Sequence, residues 1–399
     1  MHDLYYLILG TLYGLVIGII PGIRYSTEHH ECRGFFLWKF NKELKMKKFL
    51  LTVAMTLGLA TSAVADYTLV VPQEPGKGTS VWAEIIARNL SKFTDEPVVV
   101  RHEPGARDIP GFNKFENELK NDDKMIMVAH GGNGVSFLLD DVDYNYFEYD
   151  LIGSNNNDIV LGKHEGADEK SGVWRIAGGS GFEPDGAAMA MMLCGPQDDG
   201  GSVDAYLACW RERAVWISGV SGGEKRLGFM NGEFDVARES PAAWNKFYTD
   251  IDGNVLWITH GILDLETGLQ VEDPNFPGTQ FEEKYKELWG VYPEGELYDA
   301  YRLTRNWRDV IQKSLWVRGG NPNTEMLRDA LKAMLADEES MAEIKALAGD
   351  YPWIVGDDGP AMLEFLKGLI TEDALRAAVR WNQEAYGFPS VFKPELLEE

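Results

Sequence analysis

The sequence predicts an α/β fold, and three observations point to it. Short β-type runs alternate with helical stretches, glycine-rich turns follow several of the runs, and 399 residues that are 45% hydrophobic and 12% aromatic suffice for two packed domains. Alternation of this kind favours parallel sheets covered by helices on both faces.

Taken in chain order, the first element is an apolar run over residues 4–23, long enough to span a bilayer, with Gly10, Gly14 and Gly18 at the four-residue spacing that lets helices pack closely in membranes. From Met46 the chain reads MKKFLLTVAMTLGLATSAVADY. Two lysines, an apolar stretch and an Ala63-Val64-Ala65 site form the layout of a secretory signal peptide at 46–65, with cleavage expected before Asp66. A signal peptide behind a spanning segment suggests that Met46 is the working start, with residues 1–45 an over-extended or fused neighbour; a membrane tether is the alternative. The exported body is expected to be periplasmic and more acidic than the whole chain, because residues 1–65 carry more basic than acidic residues.

In that body, strands are expected at residues 67–71, 97–100, 125–129, 173–177, 214–217 and 255–258. Val81, Ile85, Ile86 and Phe93 share a helical face, and residues 187–193 read as a buried helix. Helices dominate the C-terminal part, through Leu327, Leu331, Met334 and Leu335, then residues 362–369 and 374–381. Residues 264–278 look like a surface connection. With no long linker or internal repeat, two domains are expected to exchange segments: 66–165 with 285–399 as domain 1, and 166–284 as domain 2.

The net charge of −25 is spread along the chain and repels phosphate backbones, which disfavours nucleic acid as a partner. It also repels an acidic ligand at long range, so an anion site would need locally aimed donors such as the N–H groups of a helix start. Neither a CxxC pair nor a Cys/His cluster with zinc spacing is present, and no cofactor or metal is expected. For an exported protein, Cys194 and Cys209 are candidates for a disulfide; two free buried thiols are the alternative. A GxSxG elbow, a kinase signature and a Cys/His pairing are all missing, which lowers the expectation of an enzyme.

The glycine-rich turns are the informative motifs. Pro75-Gly76-Lys77-Gly78-Thr79-Ser80 follows a strand and opens a helix, with Thr79 or Ser80 placed to cap it. Comparable turns are residues 103–107, 130–134, 178–181 and 218–223. Ligands of open α/β sheets bind at the carboxyl ends of strands, so such turns can converge on one cleft. Lys77, Arg107 and His130 are the cationic or potentially cationic groups among them, although a solvated surface role is the ordinary fate of such residues.

These residues resemble a known family, the extracytoplasmic receptors of tripartite tricarboxylate transporters, also called Bug proteins. The match covers most of residues 66–388. It is carried by Tyr67-Thr-Leu-Val-Val-Pro72, Pro75-Gly76, Pro97-Val-Val-Val100, Pro104-Gly105-Ala106, Tyr149-Asp-Leu-Ile-Gly153, Gly222-Gly223-Glu224 and Gly232-Glu-Phe-Asp235. Upstream, Leu9-Gly10, Gly14, Gly18 and Pro21-Gly22 resemble the first helix of the large membrane subunit of the same transporters. The resemblance implies a type II periplasmic-binding-protein fold: two doubly wound α/β domains joined by two crossover strands, closing on one ligand.

By the same resemblance the expected function is capture of a small carboxylate for the membrane subunits of a transporter, by a monomer and without catalysis. Carried over position by position, the ligand-binding candidates are Gly78, Thr79, Ser80, Gly132, Asn133, Ser180, Gly181, Ser221 and Gly222. The chain departs from the family where Lys77 replaces a frequent glycine, Ser80 a frequent aspartate, and Arg107 and Asp108 glycines. A lysine and an arginine beside the cleft point to a di- or tricarboxylate. A hydrolase or transferase on the same architecture, and a receptor reporting to a signalling partner, are the alternatives.

Overall fold

The computed structural model describes residues 66–105, 108–179, 182–249, 251–356, 358–389 and 392–393. The apolar run and the signal peptide expected before Asp66 lie outside the described residues, as do Arg107, Ser180 and Gly181. In chain order the strands are β1 (Tyr67–Val71), β2 (Val98–His102), β3 (Met125–His130), β4 (Tyr149–Asn155), β5 (Val160–His164), β6 (Trp174–Ala177) and β7 (Ala214–Ile217). They continue as β8 (Val236–Glu239), β9 (Asn254–Thr259), β10 (Ile262–Asp264), β11 (Leu269–Val271), β12 (Lys313–Arg318) and β13 (Trp353–Val355).

Six strands form one sheet in the order β13-β4-β12-β3-β1-β2. All five residues of β1 are buried, as expected of a central strand covered on both faces. β1 runs parallel to β2 and β3, whereas β12 is antiparallel to both β3 and β4. The expected parallel pairing holds for β1 with β2 and β3, but the sheet as a whole is mixed. β12 arrives from the other lobe and enters the sheet at the edge where β3 and β4 leave it, so its direction is reversed.

The second lobe contains the antiparallel sheet β8-β5-β9 and the parallel pair β6-β7, linked where the Asp235 N–H donates to the Arg175 carbonyl at 2.8 Å. β5 pairs with β8 and β9 in that second sheet. The expected surface connection at 264–278 contains half of the β10-β11 hairpin.

Helix Gly78–Leu90 covers the large sheet with Trp82, Ala83, Ile85, Ile86 and Leu90, all buried. Val81, assigned to that face from its spacing, instead points outward and is 40% exposed. Helix Asp185–Cys194 is apolar all round and buried from Asp185 to Leu193. Its last residue, Cys194, is disulfide-bonded to Cys209 in helix Val203–Arg213, which resolves the pairing that the sequence left open.

Helix Glu296–Val310 lies beside Glu372–Tyr386, and both also pack on the 203–213 helix, while the first of them touches β4 of the large sheet as well. The last helix is locally well specified. Thr371 caps it by accepting from the Ala374 N–H, Glu372 and Asp373 complement the start of its dipole, and Gly387 ends it in the left-handed region. Its apolar stripe of Leu375, Ala378 and Trp381 is buried, with Trp381 against Trp210 of the 203–213 helix.

Two of the segments that pass between the lobes are residues 156–159 and 311–312. They run side by side, since the Asn157 N–H donates to the Asp309 carbonyl at 3.0 Å and the Ser154 hydroxyl donates to the Val310 carbonyl. Asn156, Asn157 and Asp158 are buried there.

Candidate functional site

The carboxyl ends of β1, β2 and β3 bring together the turns at 73–80, 103–105 and 130–133. Lys77, whose side chain makes no capping bond, is the N-cap of the 78–90 helix. Thr79 and Ser80 are therefore in its first turn and do not cap it, a correction to the sequence expectation. The Ser80 hydroxyl instead accepts from the Gly76 N–H at 3.2 Å and donates to Glu84 at 3.3 Å. Both side chains are buried. Helix starts leave N–H groups without intrahelical partners, and among the described residues Gly78 and Ser80 have no acceptor for theirs.

Gln73 ties the three turns together. Its Oε1 accepts from the Thr79 N–H at 3.3 Å, and its Nε2 lies 3.4 Å from Asp108 Oδ2 and 3.1 Å from His130 Nε2. Its carbonyl lies 3.0 Å from His102 Nδ1. The Asp108 carboxylate also meets His130 Nε2, while His130 Nδ1 accepts from the Gly132 N–H at 3.1 Å. Asp108 holds this place at φ 62, a left-handed conformation uncommon for a non-glycine residue. A cavity of about 330 Å³ opens beside them, lined by Pro72, Gln73, Glu74, Lys77, Pro104, Gly105 and Asp108.

Of the candidates, Lys77 lines that cavity but is highly exposed and pairs with Glu74 at 3.4 Å. Asn133 is buried on the turn after β3. Ser221 and Gly222 are exposed on the second lobe, where Ser221 forms a capping box with Glu224. The 218–223 turn adjoins the 178–179 turn through the Gly219 and Val220 N–H groups, which donate to the Gly179 and Gly178 carbonyls. Glu183 satisfies the Gly179 N–H at 3.2 Å and lies 3.7 Å from Lys225. Several amides expected to face a ligand are thus held by this chain's own side chains.

Sequence reasoning missed a cluster of buried charge around the crossings. Asp185, the first residue of its helix, accepts from Arg238 Nε at 2.6 Å and faces His260 Nε2 at 3.1 Å and Arg308 at 3.5 Å. His260, fully buried, meets Asp309 at 2.8 Å through its other nitrogen. Burial opposes the Asp185 charge, but Arg238 and His260 outweigh it and hold the carboxyl at about 2. Burial likewise opposes the imidazolium, yet Asp309 and Asp185 hold His260 up at about 9. Asp158 goes the other way: burial pushes it up to about 7 despite His260. Isolated Asp, His and Arg residues carry no spacing signal, so only folding could have revealed the cluster.

Lys313 was missed for the same reason. As the first residue of β12 it stands opposite His130 on β3 and Asn155 on β4, and its ammonium donates to the Thr79 hydroxyl at 2.9 Å. It reaches the first turn from a point 234 residues further along the chain.

No family model matches the chain, and neither does any curated protein. Among solved structures, an R. palustris protein solved with adipate is 12% identical, covers 81% of this chain and 97% of its own, and superposes with a TM-score of 0.50. A TctC solute-binding protein from Polaromonas is 17% identical over 78% of this chain and 99% of its own, at 0.49. The periplasmic binding protein BugD is 14% identical over 80% of this chain and 97% of its own, at 0.48. Identity this low carries the fold alone, and the fold is that of a type II periplasmic binding protein, two α/β lobes joined by crossing segments.

Proposed function

We propose that this chain is an extracytoplasmic receptor of the tripartite tricarboxylate transporter type, which captures a small carboxylate between its lobes and presents it to membrane subunits. The observation that carries the reading is the pair of crossings, with a helix start and a half-buried ammonium meeting at the carboxyl ends of β1 and β3 beside them. Helix starts favour anions through their open N–H groups and dipole. The strongly acidic remainder of the chain makes such a local concentration of donors necessary.

On this reading the receptor works by population shift. A ligand touching both lobes binds the closed state better than the open one, and the crossings absorb the change. The Cys194–Cys209 disulfide fits an oxidising compartment outside the cytoplasm. A carboxylate agrees with the adipate of the R. palustris neighbour. Delivery to a transporter, action as a monomer and export through the 46–65 segment belong to the same proposal, as does a ligand contact for Ser180, Gly181 and Arg107.

A thermal-shift screen against mono-, di- and tricarboxylates tests the reading, because a ligand that binds only the folded state raises the midpoint by mass action. A midpoint rise of several degrees with one acid, and recovery of that acid unchanged after denaturation, is the expected result. A flat response across the whole panel would overturn it, and turnover of the acid would favour an enzyme.

A further inference from the structure

Lys313 and Arg238, cations from opposite lobes, lie within electrostatic reach of each other, and each keeps donor capacity unused. Lys313 belongs to the first lobe's sheet. Cross-strand neighbours share a face of a ladder, so its side chain stands with those of His130 and Asn155 at the ends of β3 and β4. Its ammonium finds only the Thr79 hydroxyl, and it forms no ion pair with any carboxylate among the described residues. Arg238 approaches from β8 of the second lobe. Its Nε is taken by Asp185, but its Nη2 is buried with no hydrogen-bond partner. Burial pushes Lys313 down to about 8, opposed by Asp108 and aided to a smaller extent by Arg238. Desolvating part of a cation that has no ion-pair partner is costly, and such groups concentrate where a ligand completes the balance.

We propose that Lys313 and Arg238 form the two jaws of an anion site, in which a carboxylate of the captured solute sits between them at the Gly78–Ser80 helix start. The contact joins the lobes directly, so the acid group that pays for the unbalanced charge also favours closure. Specificity for an acidic solute then rests on Lys313 and Arg238, neither of which the sequence singled out. This assignment rests on the carboxylate-receptor reading and adds the residues that would carry it.

Wild type, Lys313→Met and Lys313→Arg are titrated calorimetrically with acetate, malate and adipate. Replacing a charge-assisted contact should weaken the best-bound acid about 10- to 100-fold in Lys313→Met, with most of the affinity restored in Lys313→Arg. Without ligand, Lys313→Met should melt no lower than wild type, since it loses an unbalanced charge. Equal affinity in wild type and Lys313→Met overturns the assignment while leaving the receptor reading intact. A markedly lower melting point for both Lys313→Met and Lys313→Gln without ligand also overturns it, because the ammonium would then be holding the fold together. If none of the acids binds wild type, the carboxylate reading falls and this assignment with it.

Discussion

Raising the pH should make this protein less stable and then more stable again, with the minimum set by two desolvated groups of opposite behaviour. His260 lies between Asp185 and Asp309, which hold its folded pKa at about 9 against 6.5 for the ordinary imidazole. A raised pKa contributes stability in full below 6.5, and that contribution is lost as pH rises through 9; it is worth about 3 kcal/mol. Lys313 is depressed to about 8 from 10.5, so its charged form is disfavoured in the fold, and that penalty is relieved as pH rises from 8 to 10.5. The two effects overlap between pH 8 and 9. Urea-unfolding free energies measured every half unit from pH 6 to 10.5 should therefore pass through a minimum near there. Lys313→Met removes the recovery and should leave a monotonic fall, which isolates the histidine. A flat profile for Lys313→Met from pH 6.5 to 9, or an imidazole that titrates below pH 7.5 by NMR, would refute the reasoning.

Asp185→Asn leaves Arg238 and His260 without their shared counter-charge and should cost about 3–5 kcal/mol at pH 7 in urea unfolding; a loss below about 1 kcal/mol would contradict it. Asp158 has its folded pKa raised from 3.8 to about 7, so it weakens the fold as pH rises through that range; Asp158→Asn should match wild type near pH 4 and equal or exceed it at pH 8 by the same measurement. Replacing Cys194 and Cys209 by serine opens a loop whose ends are 15 residues apart and should cost about 3 kcal/mol, read as a lower melting midpoint under non-reducing conditions. Gly134→Ala drives a Cβ to 2.8 Å from the Trp307 backbone carbonyl carbon, and about 1–3 kcal/mol of destabilisation by chemical unfolding is expected as the β3 turn is forced off its helix.

The sequence by itself determined the elements whose signal is local. β1 and β7 lie where their runs were read, and the expected runs for β2, β3, β6 and β9 agree to within a few residues, because a short apolar run bounded by turn residues is legible without its neighbours. The buried 185–194 helix and the 372–386 helix were legible for the same reason. β4, β5, β8, β12 and β13 were missed as strands, since ladder partners far away in sequence define them; β12 is inserted between two strands laid down more than 150 residues earlier. Lobe membership was equally hidden, and the 296–310 helix reads simply as amphipathic until its partners are known.

At the site, the strand-end turns were visible because glycine and a helix start are local features. Their electrostatics were not. Lys77, prominent in the sequence, pairs with Glu74 in solvent, whereas Lys313 and Arg238, unremarked in strands, reach partners far away in sequence, Thr79 and Asp185. Charge acquires meaning from burial and from what stands opposite it, and both are properties of the folded chain alone.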